Sequence, residues 1–469
     1  MRLRPRARVV RLGAVGCVAA AMAAAPWPRG PVGASSSPIR HVVVVLMENR
    51  SFDNVLGALC AERVDSGDPA PCDGTRQGRL PDGSSIPLAV APDVQPSLSH
   101  SVASHLKGIN RDKHGVARMN GFSTIAGCQA NPEPGHLPYA CYDQYDPQGS
   151  DAKSIANQIR LANAFVIADR TFESYTSSSF VSHLEIVAGT HSYFHGDNPH
   201  YDRANHPPPH GPGWGCASHD DVAWDDPVQG PILVPSCVPD QNGDGPYRTS
   251  PVPYLPTIFD RLDAAGDTWR VYQESLNAGR SPCSYFWECV HTTQRDNVQP
   301  TDQFLADAAN GTLPDVAFLI PPNHLSGHPT FSMQAGDNWI GKMVGAAEEG
   351  PEWDSTAIFV TYDDCGCFYD HVPPPVPGEG LRVPTIIVSA FAKPHFVDHT
   401  NATIASTLAF IENNWGIAPL GDEDRGDYDF SNAFDYSQNP LPPVAMVDDP
   451  LPAWEKRWLR THPGEQYTS

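Results

Sequence analysis

Four short apolar runs stand out along an otherwise polar chain. They are HVVVVLM at 41–47, VAFLI at 316–320, AIFVTY at 357–362 and TIIV at 385–388. Each is rich in β-branched residues and lacks the alternation of a half-exposed strand. Such runs predict strands buried on both faces, as in a parallel sheet. Between them the apolar period becomes helical. SIANQIRLANA at 154–164 shows it, and LPTIFDRLDAA at 255–265 sets Ile258, Leu262 and Ala265 on one face. Residues 338–349 and 404–414 read as helices too. Strands alternating with helices predict an α/β fold with a mostly parallel central sheet.

The pattern lapses between about 191 and 257, where Pro, Gly, His, Asp and Asn dominate, as in HPPPHGPGWGC at 206–216. This predicts an irregular surface insertion, clipped by Cys216 and Cys237. Within it, DQNGDG at 240–245 spaces Asp240, Asn242 and Asp244 like the first half of an EF-hand loop. Pro251 stands where that loop needs its bidentate Glu, so a polar turn is the better reading. No internal repeat is present.

Composition narrows the class. A hydrophobic fraction of 40% with 10 Trp, 15 Tyr and 18 Phe is ample for a core. The 48 Pro and 38 Gly are many, but fewer than low-complexity disorder requires. A net charge of −23 argues against a nucleic-acid partner, which needs basic stripes. It also allows at most peripheral contact with an anionic membrane. Residues 1–34 hold six arginines and no acid, then an apolar run from Leu12 to Ala25 and small residues at Val32-Gly33-Ala34. That is the order of an export signal cleaved after Ala34, a membrane anchor being the alternative. Without it, 25 basic residues face 54 acidic ones, a charge of −29. The remainder, 35–469, reads as one domain of a secreted or extracytoplasmic protein. Cys17 leaves with the signal and ten cysteines remain. Sequence neighbours suggest Cys60/Cys72, Cys128/Cys141, Cys216/Cys237 and Cys283/Cys289, with Cys365 and Cys367 left over. Connectivity is not fixed by sequence, and a thiolate metal site is the rival reading.

Polar groups that follow strand ends carry the candidate chemistry, because ligands bind beyond the carboxyl ends of strands in open α/β sheets. The first strand runs into Glu48-Asn49, two hard oxygen ligands or else a solvated acid and a cap. The 357–362 strand runs into Asp363-Asp364, whose mutual repulsion a bound cation removes. Gly366 lets the chain turn closely there. A serine run, Ser177-Ser178-Ser179, precedes an apolar helical stretch, so a hydroxyl there is either a nucleophile or a cap. His324, His328 and Asp337 lie in PPNHLSGHPTFSMQAGDNWI, and histidine can donate to a phosphoryl oxygen.

These segments resemble a known family. MENRSFDNVLG at 47–57 and TYDDCGCFYDHVPPP at 361–375 resemble the two signatures of the bacterial phosphoesterases that include phospholipases C and a secreted acid phosphatase. MNGF at 119–122 and GLRVPTIIVSAF at 380–391 are similar to two further segments of that family. The resemblance implies an alkaline-phosphatase-like sheet with helices on both faces. It implies that Glu48, Asn49, Asp363 and Asp364 hold one or more divalent metal ions. Ser179 is implied as nucleophile, with His183 following it, and His100 and His328 as catalytic histidines. His324 and His371 are expected to bind substrate.

The implied activity is metal-dependent hydrolysis of phosphoric esters, on phosphomonoesters or phospholipid head groups. Phospholipase C action on phosphatidylcholine and an inactive binding protein on the same scaffold are the alternatives. The stretch after residue 420 is short for the extra β domains many family phospholipases carry, which tilts the expectation toward a phosphatase. Three departures stand out. Asp364 replaces the usual Glu, and Ser182 replaces the usual Asn before His183. Cys367 replaces a Gly, which suggests a Cys365–Cys367 disulfide.

Overall fold

The computed structural model describes residues 37–129, 139–148, 154–200, 211, 213–275, 280–421 and 424–461. The expected export signal at 1–34 lies outside the described residues.

Eight strands form one sheet: β1 (His41–Met47), β2 (Val166–Ala168), β3 (Trp269–Tyr272), β4 (Val298–Gln299), β5 (Val316–Leu319), β6 (Thr356–Tyr362), β7 (Thr385–Ser389) and β8 (Phe396–Asp398). Their order is β4-β3-β5-β1-β6-β7-β2-β8. Every neighbouring pair is parallel except those of β7, which is antiparallel to β6 and β2. The apolar runs therefore locate four of these strands, and one of the four runs backwards. TIIV was expected to be parallel. It follows β6 through a stretch with no crossover helix, and a parallel neighbour would need one. Strands β2, β3, β4 and β8 span two to four residues each, too few for a period to register.

The helices that matter are α1 (Val102–Ile109), α2 (Ala156–Ala164), α3 (Ser179–Ala188), α4 (Ile258–Ala265), α5 (Thr301–Asn310), α6 (Met333–Glu349) and α7 (Ser406–Trp415). Helices α2 and α5 both pack on α6, whereas α4 and α7 both pack on α3. Strand β6 separates the two groups. Phe359 meets Phe410 of α7 edge to face, with ring centres 5.1 Å apart. Tyr362, three positions on and so on the opposite face, donates to Gln158 of α2 at 3.0 Å. Both faces of the sheet are thus covered, which is why β1 from Val42 to Met47 and all of β6 are buried.

The insertion is less irregular than its composition implies. Asp221–Asp226 and Gly230–Pro235 pair as an antiparallel hairpin, and the Cys216–Cys237 disulfide closes it. Trp214 is buried beside Phe180. Asp240 Oδ1 accepts the amide protons of Asn242 and Asp244, which makes DQNGDG a closed polar turn. The pairs Cys60–Cys72, Cys128–Cys141 and Cys283–Cys289 are also disulfides. Cys365 and Cys367 are buried free thiols, contrary to the suggested bond. Both sulfurs face the ring of His105, and Cys365 Sγ accepts the Cys367 amide proton. Disulfides are compatible with an extracytoplasmic protein. Among the described residues no helix is long and apolar enough to cross a membrane.

Candidate active site

Parallel register brings the two acidic segments together. Met47 of β1 pairs with Tyr362 of β6, so Glu48 and Asp363 leave the sheet side by side. Asp363 donates its amide proton to the Met47 carbonyl at 3.0 Å. In return the Asn49 amide donates to Asp363 Oδ1 at 2.7 Å. Asn49 Nδ2 donates to both Asp364 oxygens at 2.7 and 2.9 Å. Asn49 takes a left-handed conformation, φ 58°, which Asn tolerates better than most residues. Gly366 is required by this closeness. A Cβ there would sit 2.2 Å from the Asn49 carbonyl oxygen, and its φ is +54°.

Helix α3 delivers the hydroxyl. Ser177 Oγ donates to the Tyr175 carbonyl and Ser178 Oγ to that of His100. Only Ser179 reaches the carboxylates, donating from Oγ to Asp364 Oδ2 at 3.0 Å. One turn on, His183 Nε2 lies 3.4 Å from Glu48 Oε1 and 3.5 Å from Asp363 Oδ2. Its Nδ1 meets the Tyr285 hydroxyl at 3.3 Å. Arg280 Nη1 stands 3.6 Å from Glu48 Oε2 and donates to Ser326 Oγ at 2.7 Å. Ser326 also takes the Glu48 amide proton on its carbonyl, at 3.0 Å. His100 and His328 meet edge to face, with ring centres 6.1 Å apart.

The charges do not cancel by themselves. Glu48, Asp363 and Asp364 are buried, facing Arg280 and His183. Burial raises the Glu48 carboxyl above its ordinary value, with Arg280 opposing. Burial and the charge of Asp363 lift Asp364 well above the carboxylate range. Burial also works to raise Asp363, but the His183 contact overrides it and holds the carboxyl at about 2. For His183, burial disfavours charge, yet Asp363 and Glu48 hold the ring up at about 9. Both Glu48 oxygens, Asn49 Oδ1 and Asp363 Oδ2 are buried with no hydrogen-bond partner. Glu48, His183 and Asp363 offer atoms within 4.8 Å of one another. Several bare, hard oxygens aimed into one space fit a divalent cation.

Burial lowers His100 and lowers His328 further, so both favour the neutral ring. His100 Nδ1 lies 3.0 Å from the Leu98 carbonyl and His328 Nδ1 2.7 Å from that of Pro329. A carbonyl can only accept, so each Nδ1 carries the proton and each Nε2 presents a lone pair.

Three expected residues belong elsewhere. His324 is exposed on the turn Asn323–Leu325, outside this cluster. His371 has both ring nitrogens engaged, Nδ1 by Asp53 at 2.6 Å and Nε2 by Asp73 at 2.9 Å. Through Asp53 it joins an ion network with Arg382, apart from the Glu48–Asp363 cluster. Asp337 accepts the amide protons of Asn157 and Gln158 at the start of α2. Sequence reading missed Arg280 and Tyr285, isolated residues with no motif around them. A groove of about 670 Å³ lined by Trp339, Lys342, Met446 and Lys456 shares no residue with the cluster.

An α/β sheet that gathers buried oxygens and a hydroxyl beyond its strand ends defines an enzyme scaffold. The Phosphoesterase family model matches residues 39–418, and the chain belongs to that family. Membership of this family supports a hydrolase acting on phosphoester bonds. The chain is 26% identical over 400 residues to non-specific phospholipase C1 of Arabidopsis thaliana, covering 77% of this chain and 62% of that protein. The chain thus spans less than two thirds of the plant relative. It is 23% identical over 474 residues to phospholipase C B of Mycobacterium tuberculosis, covering 90% and 82%. A protein of the alkaline phosphatase superfamily from Vibrio parahaemolyticus has a similar structure at 12% identity and a TM-score of 0.35, over 60% of this chain and 66% of that one. At that level the likeness adds nothing to the topology above.

Proposed function

We propose that the protein is an extracytoplasmic, metal-dependent phosphoester hydrolase that uses Ser179 as nucleophile and cleaves phospholipid head groups, as the names of its relatives suggest. One observation carries the reading. Ser179 Oγ, at the amino end of α3, donates to Asp364 within a set of buried, unsatisfied oxygens. Glu48, Asn49, Asp363 and Asp364 would hold the cation. When bound, a divalent cation there supplies Lewis-acid stabilisation of the serine alkoxide and of phosphoryl oxygen charge.

The remaining chemistry belongs to the chain. Ser179 gives its proton to Asp364 Oδ2 as its oxygen attacks phosphorus. The new P–O bond forms as the bond to the leaving alcohol breaks. His100 or His328, drawn to the imidazolium form by the substrate's negative charge, protonates the leaving oxygen. The ring, neutral again, then takes a proton from water attacking the phosphoserine. Serine leaves and recovers its proton from Asp364. Arg280 and the amino end of α3 add positive field to an otherwise acidic protein.

The test uses Ser179→Ala, with phosphocholine release from phosphatidylcholine and hydrolysis of a chromogenic phosphomonoester run side by side. The variant should lose both activities while keeping its circular dichroism and its cation content. Near-wild-type turnover would refute the nucleophile. Wild-type hydrolysis of the monoester alone would move the substrate from phospholipids to phosphomonoesters.

A further inference from the structure

Behind the turn that carries Asp363 and Asp364 lies a second group of ligating side chains with no part in the chemistry above. Cys365 and Cys367 come from that turn, His105 from α1, and Glu173 from the segment before α3. All four are buried. His105 Nδ1 donates to the Ser101 carbonyl oxygen at 3.0 Å, which leaves Nε2 as the nitrogen able to ligate a metal. That nitrogen faces Cys365 Sγ at 3.2 Å and Glu173 Oε2 at 3.1 Å. Glu173 Oε1 accepts the Cys365 amide proton at 2.7 Å, while Oε2 has no hydrogen-bond partner. Cys367 Sγ lies on the side of the other ring nitrogen, 3.5 Å from Nδ1.

The distances can be compared with those around an ion. Zinc bond lengths to nitrogen, oxygen and sulfur put neighbouring ligands of a tetrahedral site roughly 3.3 to 3.8 Å apart. The contacts of His105 Nε2 with Glu173 Oε2 and Cys365 Sγ are 3.1 and 3.2 Å. Ligand atoms of His105, Cys365 and Cys367 all lie within 4.8 Å of one another. A histidine whose other nitrogen donates to a backbone carbonyl is the usual arrangement of a metal ligand.

We propose that His105 Nε2, Cys365 Sγ, Cys367 Sγ and the Glu173 carboxylate form a structural site for a thiophilic divalent cation of the zinc type. Binding forms two metal–sulfur bonds and releases two thiol protons to solvent. Four protein ligands leave no open position, so the site braces rather than catalyses. It ties α1 and the segment before α3 to the turn that holds Asp364.

The test strips the full-length protein, its four disulfides intact, with a chelator and titrates it with Co²⁺ alone, then with Zn²⁺ in competition. One equivalent of Co²⁺ should produce thiolate-to-cobalt charge-transfer absorption in the near ultraviolet, and Zn²⁺ should abolish it. Glu48→Gln, which changes only the oxygen-rich cluster, should keep the band. Cys365→Ser should lose it, and Glu173→Gln should weaken Co²⁺ binding at least about tenfold. Intact mass of the untreated wild type gives a second readout that depends on no variant's folding. Two reduced thiols with retained zinc support the site. A Cys365–Cys367 disulfide in that mass, or two free thiols with no cobalt band, overturns it, whatever the fate of the Ser179 reading.

Discussion

Gly366→Ala tests the contact that holds the two acidic segments in register. The added Cβ would lie 2.2 Å from the Asn49 carbonyl oxygen, 2.8 Å from its carbon and 3.2 Å from its Cβ. Ordinary van der Waals contact begins near 3.4 Å, so the turns must separate by more than an ångström. The first casualties are the Asn49 bonds to Asp363 and Asp364, all shorter than 3 Å. Holding alanine at φ +54° costs about 1–2 kcal/mol, and the overlap about 1–3 kcal/mol more. A displacement of this size at reacting groups lowers turnover by roughly a hundredfold. Gly416→Ala is the control, because its φ is +66° and nothing lies within 4 Å of its Cβ. It should pay the conformational cost alone and keep full activity. The assay combines thermal unfolding with kcat/KM on a phosphoester. Equal melting losses in the two variants, with wild-type kcat/KM in Gly366→Ala, would refute the reasoning.

The ion network beside the site gives further predictions. Arg382 donates to Asp370 and Asp53, and to the carbonyls of Asp73 and Asp169, with its guanidinium over the Phe52 ring. Arg382→Lys cannot match that fork and should cost about 3–5 kcal/mol in denaturant unfolding, with little change if the network is ornamental. For His371, burial disfavours charge, but Asp53 beside it holds the ring up at about 10. Its value is raised on folding, so its contribution is complete below the unfolded value near 6.5 and is lost as pH rises through about 10. The melting difference between wild type and His371→Asn should therefore shrink from pH 6 to pH 10, and a constant difference would contradict the ion pair. Chelation should abolish phosphoester hydrolysis, and a divalent cation should restore it in wild type but not in Asp363→Asn.

Much of this molecule is legible before folding because its signals are local. The β-branched runs announce β1, β5, β6 and β7, and the family signatures that follow β1 and β6 single out Glu48, Asn49, Asp363 and Asp364 as candidate ligands. Serine before an apolar helical stretch announces Ser179, though not which of three serines. The structure separates them by where each hydroxyl goes, since Ser177 and Ser178 bond backbone carbonyls and Ser179 an acid. His324 and His371 share the residue type of His328 but not its neighbourhood, and one-dimensional spacing does not distinguish them.

What the sequence by itself determined is where four strands of the sheet lie and which polar segments follow two of them, because period and residue chemistry are properties of neighbours in the chain. Tertiary structure alone decided the rest. It turned β7 antiparallel, set Arg280 and Tyr285 against Glu48 and His183, and joined His105 and Glu173 to a Cys-Gly-Cys turn more than 190 residues away. Those meetings follow from β1 and β6 lying side by side in register, a long-range choice driven by burial of both sheet faces. No local pattern records such a choice, which is why a cysteine pair that read as a disulfide becomes a candidate cation site once its partners arrive.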